Sequence, residues 1–254
     1  MLCKYKEKII TNGDYLDVSL FPVFAKHKTT RRSRFKPTGE AQKLLNRKNS
    51  EKMLTWLLNE NFTRENIRLD LTFDDEHRPE TEEAARIELR NFKRRLSRRM
   101  AKTKMPPLKY AAVLHGGRYH FHMVCNLQDI SVAELRSIWG NGWIAVETLE
   151  FNQFGLAGLA RYMLRGAVGE KLWSTSQNLT RPEAEEHTDR VKQKTIKKLY
   201  ADNDAAELFE NLYPDYHLAD CATFYNDEFG YHYLNARMYR KKLDRKKFAD
   251  TRPF

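Results

Sequence analysis

Cysteine is scarce: the chain has three, Cys3, Cys125 and Cys221. They lie far apart and in no Cys-x-x-Cys spacing, which excludes a disulfide framework and a zinc ribbon and predicts free thiols in a reducing compartment. Long apolar runs are lacking too. No stretch reaches the roughly 18 consecutive apolar residues of a membrane-spanning helix. The segment Met1-Leu2-Cys3-Lys4-Tyr5-Lys6-Glu7-Lys8 has none of the apolar character of a secretory signal. The expectation is a cytoplasmic protein without a membrane partner. No Gly-x-x-x-x-Gly-Lys-Ser/Thr motif occurs, so neither an ATPase or helicase activity nor a nucleotide cofactor is expected of this chain. Acidic residues are outnumbered, 34 against 45 Lys and Arg, and the net charge of +11 points to an anionic partner. With 41% hydrophobic and 12% aromatic residues the chain can bury an ordinary core, and 254 residues suffice for one elaborated domain or two small ones.

Residues 1–60 read as a basic, partly extended N-terminal extension. Its centre, Lys26 to Pro37, holds many cations and no hydrophobic period, so an exposed loop is expected there, either merely solvated or facing nucleic acid. From Thr38 onward Leu44, Leu45, Met53, Leu54, Leu57 and Leu58 recur at helical spacing, in one helix or two. Ile67, Leu69, Leu71 and Phe73 alternate with polar residues, the pattern of a half-buried strand. After Thr81-Glu82-Glu83 a helix follows with Ile87, Leu89, Phe92, Leu96 and Met100 as its apolar stripe. Its later turns carry Arg94, Arg95, Arg98 and Arg99. Acids first and bases last suit the helix dipole, and the cationic face is either solvated or set against phosphates.

The most informative stretch runs from Leu108 to Asn126. Two strand-like segments flank Gly116-Gly117, which as a two-residue turn would set Val113 opposite His120 and Ala111 opposite His122. Alternation then puts His115, His120 and His122 on one face and Leu114, Tyr119, Phe121, Met123 and Cys125 on the core face. Three imidazoles on one face can hold a divalent ion, zinc among them, or can form a plain polar surface. Arg118 at the rim is a candidate phosphate contact.

Between Phe154 and Ala167 a helix is expected, with Leu156, Leu159, Ala160, Met163, Leu164 and Ala167 on its apolar arc and Tyr162 at the border. A tyrosine there either buries its ring or, flanked by Arg161 and Arg165, reaches a phosphate.

A strand ending Leu71-Thr72-Phe73, a His-Phe-His strand and a later helix with one tyrosine and a cation three residues on resemble the HUH endonucleases. The likeness is specifically to the Rep class that initiates rolling-circle replication in phages, plasmids and integrative elements. The order, His-x-His before Tyr, is similar to replication initiators, whereas conjugative relaxases carry the tyrosine first. Lys171 to Pro182 also resembles the downstream stretch of Rep proteins. The sequence differs from the usual pattern in having His115 where a glutamate is common and Arg165 where Lys is usual. The resemblance implies that Tyr162 and Arg165 are catalytic and that His115, His120 and His122 hold Mg2+ or Mn2+. It implies single-stranded or origin DNA as substrate, contacted by Arg118, Arg161 and the arginines of the basic helix, and a host helicase as partner. The expected reaction is site- and strand-specific nicking and joining through a 5′-phosphotyrosine. A conjugative relaxase and a non-catalytic DNA-binding regulator are the alternatives.

The expected fold is α+β: a central antiparallel sheet of RRM-like, Rep type with helices on one face and the histidine face open to DNA. Residues 61–182 would form the catalytic domain and 183–254 a helical segment and C-terminal strand. Residues 181–212 read as amphipathic helices. Along 231–240 Leu234, Ala236 and Met238 alternate with Tyr231, Tyr233, Arg237 and Tyr239. That second row either packs in a core or stacks single-stranded bases.

Overall fold

A computed structural model describes residues 4–23, 40–202, 205–226 and 230–242. The basic loop expected at 26–37 lies outside them. In chain order the elements begin with β1 (Lys4–Asn12), β2 (Tyr15–Val23), α1 (Glu40–Asn61), β3 (Ile67–Phe73), α2 (Glu82–Lys102), β4 (Tyr110–His115), β5 (His120–Cys125) and α3 (Val132–Trp139). They continue with β6 (Gly142–Thr148), α4 (Ala157–Arg165), β7 (Ser174–Thr175), β8 (Ala184–Thr188), α5 (Gln193–Asp202), α6 (Ala205–Leu212), β9 (Tyr216–Asn226) and β10 (Tyr231–Arg240). The class is α+β, with two five-stranded antiparallel sheets, one in each of two units. No helix among the described residues is long and apolar enough to cross a membrane.

One unit comprises residues 50–151 and 156–181, and its sheet runs β6-β3-β5-β4-β7. Leu69, Leu71 and Phe73 of β3, with Phe121, Met123 and Cys125 of β5, point to one face. There they meet Ala85, Leu89, Phe92, Leu96 and Met100 of α2 and Leu135 and Trp139 of α3. Each such large side chain contributes about 1.5–3 kcal/mol of burial. Ile87, expected on the stripe, is 41% exposed. Residues 85, 89, 92, 96 and 100 keep helical spacing, and position 87 falls about 160° from 89 around the axis. Thr81 caps α2, its hydroxyl accepting from Ala84 N at 3.2 Å, and Ser131 caps α3 through Glu134 N at 3.2 Å.

Helices are expected on one face only, but α1 and α4 cover much of the other. Ala111, Val113 and Val124 pack there with Ala160, Met163 and Leu164 of α4 and Leu54 and Leu58 of α1. Small and β-branched residues on the histidine face supply an apolar floor that α4 can bury. α1 is a single helix, because no Gly or Pro interrupts 40–61.

The other unit comprises residues 1–49, 152–155 and 182–253, with sheet order β8-β1-β2-β10-β9. Leu234, Ala236 and Met238 face its core as the alternation of 231–240 predicts. They pack with Val18 and Leu20 of β2, Ile196 of α5 and Phe209 of α6. Residues 184–188, read as helix from the sequence, form β8 instead, paired with β1. The segment Ala-Glu-Glu-His-Thr is exposed throughout and has no apolar face for a helix to bury, so backbone pairing to an open edge decides its state.

Candidate active site

The connection between β4 and β5 has four residues, 116–119, in place of the expected two-residue turn, and His115 pairs with His120 and Val113 with His122. Gly116 leaves the hairpin because its N–H donates to Gly166 O at 3.2 Å, while Val168 N donates to Leu114 O at 3.0 Å. A Cβ on Gly116 would lie 2.5 Å from Val168 Cγ1, so only glycine permits this approach. The shift moves the pairing by two residues and thus keeps every side chain on its expected face. Tyr119, now in the turn, still packs against the α2/α3 core.

The strand registers place the site residues in rows across the histidine face. His115, His120, Thr72 and Trp143 form one row; Val113, His122, Asp70 and Ala145 the next; Val124, Arg68 and Glu147 the third. The three imidazoles converge, with ring centroids 4.8, 4.3 and 5.1 Å apart and candidate ligand atoms all within 4.8 Å of one another. Each ring has one nitrogen facing a protein acceptor. His122 Nδ1–H donates to Asp70 Oδ1 at 2.6 Å, His120 Nδ1–H to Arg118 O at 2.9 Å and His115 Nε2–H to Met163 O at 2.5 Å, the tautomers following from those acceptors. The second nitrogen of each is then a lone-pair donor, and the set fits a divalent metal held by His115, His120 and His122. Three imidazoles alone do not choose which ion it is.

Electrostatics favour neutral ligands. Burial holds the His115 imidazole below its ordinary 6.5, outweighing the Met163 hydrogen bond that would raise it, and the neighbouring histidines add to the depression. Burial alone would raise the Asp70 carboxyl. The His122 hydrogen bond and charge, with the Arg68 guanidinium, prevail and keep it below its ordinary 3.8.

Tyr162 projects from α4 with its ring centroid 5.0 Å from that of His122, and it is 41% exposed. Helix α4 is anchored over the histidines because the segment after it extends the sheet edge at His115, bridged to Ala167. Arg68 lies over the Tyr162 ring, its guanidinium carbon 5.0 Å from the centroid. It is held by a two-pronged pair to Asp70 at 3.0 and 3.0 Å and by Glu147 at 2.7 Å. A chain of interactions thus runs from Glu147 through Arg68 and Asp70 to His122. Sequence reasoning misses Arg68, Asp70 and Glu147. The signal that could find the first two is the polar half of the β3 alternation, which shares a face with the histidines once β3 and β5 pair. Sequence reasoning also passes over Trp143, which is 63% exposed on the histidine face with the Arg136 guanidinium 5.0 Å from its ring.

The remaining candidates are not all gathered here. Arg165 ends α4, exposed. Arg161 pairs with Glu51 at 3.2 Å and Arg118 with Asp75 at 2.6 Å. The arginines of α2 belong to the helix on the opposite side of the sheet. Arg95 donates to the carbonyls of Ile138 and Trp139 at 2.7 and 2.8 Å, and Arg99 pairs with Glu134, so both hold α3. Arg94 and Arg98 are exposed.

With strands, histidines and tyrosine located, the family comparison falls on the same segment. Residues 66–167 match the replication-associated protein family of the ORF2 type. The match begins just before β3 and ends just after α4, so it takes in all three histidines and Tyr162. It is consistent with a rolling-circle Rep initiator, implies a replication-associated function and interaction with DNA, and is compatible with an endonuclease. No curated protein and no solved structure matches the chain.

Proposed function

We propose that this protein nicks and rejoins one strand of DNA at a defined site through Tyr162, and that the nick starts rolling-circle replication. The observation that carries the reading is the tyrosine ring 5.0 Å from His122, beside three imidazoles that each keep one nitrogen for a metal. Tyr162 Oη attacks the scissile phosphorus. The P–Oη bond forms as the P–O3′ bond breaks, and the proton lost by the phenol is matched by the one gained at the departing 3′-oxygen. The products are a 5′-phosphotyrosine and a free 3′-hydroxyl, and the reverse attack reseals the strand without a nucleotide cofactor. A divalent ion such as Mg2+ or Mn2+ on the three histidines would supply Lewis-acid stabilisation of the phosphate charge.

The chain's own groups do the positioning. Asp70 fixes the His122 tautomer, Arg68 holds the Tyr162 ring from one side, and Arg165 neutralises phosphate oxygens. Trp143, on the same face, offers a stacking surface to a base beside the scissile phosphate. Arg118 and Arg161 exchange their carboxylate partners for phosphates, and Arg94 and Arg98 add sequence-independent attraction. Strand separation falls to a host helicase.

The test is a labelled origin-derived oligonucleotide incubated with the protein and Mn2+, followed by denaturing electrophoresis. The wild-type protein is expected to give an SDS-resistant adduct that Tyr162→Phe lacks while still binding the oligonucleotide. An adduct that persists in Tyr162→Phe, or maps by mass spectrometry to another tyrosine, overturns the assignment.

A further inference from the structure

The sheet of the second unit has two faces of different chemistry. Side chains alternate along its strands, so Tyr5 and Ile9 of β1, Leu20 of β2 and Leu234 of β10 enter the core beneath α5 and α6. Lys4, Lys6 and Lys8 of β1 take the opposite face, with Phe21, Tyr233 and Phe224. The register aligns them. Lys6 lies opposite Phe21 and Tyr233 opposite Phe224, and the Leu20–Leu234 pair sets Phe21 beside Tyr233. One row across four strands therefore reads Lys6, Phe21, Tyr233, Phe224, and at about 4.8 Å per strand it is about 14 Å long. Phe224 is 61% exposed, and its ring lies 6.1 Å from that of Tyr233. The adjacent row is Lys8, Ser19, Asn235, Ala222, in which Ser19 Oγ donates to Asn235 Oδ1 at 2.8 Å. One row further the face closes: Ile10 and Asp17 are buried, and Arg237 pairs with Asp220 at 2.6 Å and covers the Phe154 ring.

We infer that the open part of this face binds single-stranded DNA, with bases stacked on Phe21, Tyr233 and Phe224 and the backbone following Lys4, Lys6 and Lys8. Aromatic faces accept any unpaired base, and lysines at every second residue of one strand stand about 7 Å apart along the sheet rim. The charge argues for a polyanion rather than another protein's apolar surface. Three lysines share this face with one acid at its edge, Glu186, which pairs with Lys6. A duplex keeps its base faces stacked and cannot use the aromatics. This surface does not depend on the nicking reading, since it contains neither the histidines nor Tyr162.

The test is fluorescence anisotropy of a labelled oligothymidylate with the full chain in EDTA, so that metal-dependent chemistry is silent. Phe224→Ala and Tyr233→Ala should each weaken binding roughly 5- to 150-fold, with melting temperature unchanged for the exposed Phe224. Phe224→Trp should retain affinity. Lys4, Lys6 and Lys8 changed together to Ser should lower the log-log salt slope by about 0.7 for each phosphate no longer neutralised. Affinity for a duplex of the same length should not respond to Phe224→Ala. Wild-type binding and salt slope in the Phe224→Ala/Tyr233→Ala protein would overturn the inference, as would an equal loss for duplex. Adduct formation at Tyr162 is scored separately, so either idea can fail alone.

Discussion

Gly166 sits where α4 meets the histidine cluster, and a Cβ there would lie 2.8 Å from His115 Nδ1, the nitrogen left for a metal. Its φ of −102° is open to any residue, so Gly166→Ala tests space and not backbone strain. The imidazole must move, and metal affinity measured by calorimetry should fall. Asp70→Ala removes the acceptor that orients His122, and a loss of about 10- to 100-fold in metal affinity is expected. Unchanged affinity in both variants would mean that the histidines do not hold the ion. The pH response follows from His115. Its folded value is depressed, so between that value and 6.5 the folded metal-free protein binds fewer protons here than the unfolded chain. His115 therefore makes stability rise with pH across that window and contribute no further above it. Replacing His115 by Gln should flatten that part of a stability profile measured by urea unfolding at a series of pH values. A profile unchanged by the substitution would contradict the burial argument.

At the scale of elements, α2 divides its cations between two jobs. Arg95 and Arg99 close the C-terminal carbonyls and the acid of α3, whereas Arg94 and Arg98 face solvent. Arg95→Ala leaves the helix-end carbonyls of Ile138 and Trp139 without their charged donor, at a cost of about 1–3 kcal/mol. Thermal unfolding should register Arg95→Ala and Arg99→Ala. Arg94→Ser and Arg98→Ser should instead leave the melting temperature in place and reduce only the salt slope of DNA binding. Equal effects of all four on either measurement would remove the distinction. The sequence displays the arginines and their spacing. It cannot display that α3, some forty residues on, packs beside two of them.

For the whole molecule the two sheets have separate cores, and each holds a cysteine. Burial pushes the Cys125 thiol, inside the α2/α3 core, up to about 12, and the Cys221 thiol, against the second core, up to about 11. Both are expected to react slowly with thiol reagents while folded, because the thiolate is the reactive form. In a Cys3→Ser background, labelling across a urea series should give separate midpoints for the two thiols, each reporting its own unit. A single shared midpoint would show that both units unfold together.

The period-2 alternation of β3, β5 and β10 and the apolar arc of α4 were legible because side-chain direction within one element follows from local geometry alone. The same rule set His115, His120 and His122 on a shared face even though the expected turn was too short, since the register moved by an even count. What the tertiary structure alone decided is which strands became neighbours. Asp70 reaches His122 across 52 positions only because β3 pairs with β5, and Arg68 meets Tyr162 only because α4 lies over that pair. The second sheet likewise joins β2 to β10 across more than two hundred residues. Pairings of that range depend on which apolar faces find one another on folding, a competition that no local period encodes.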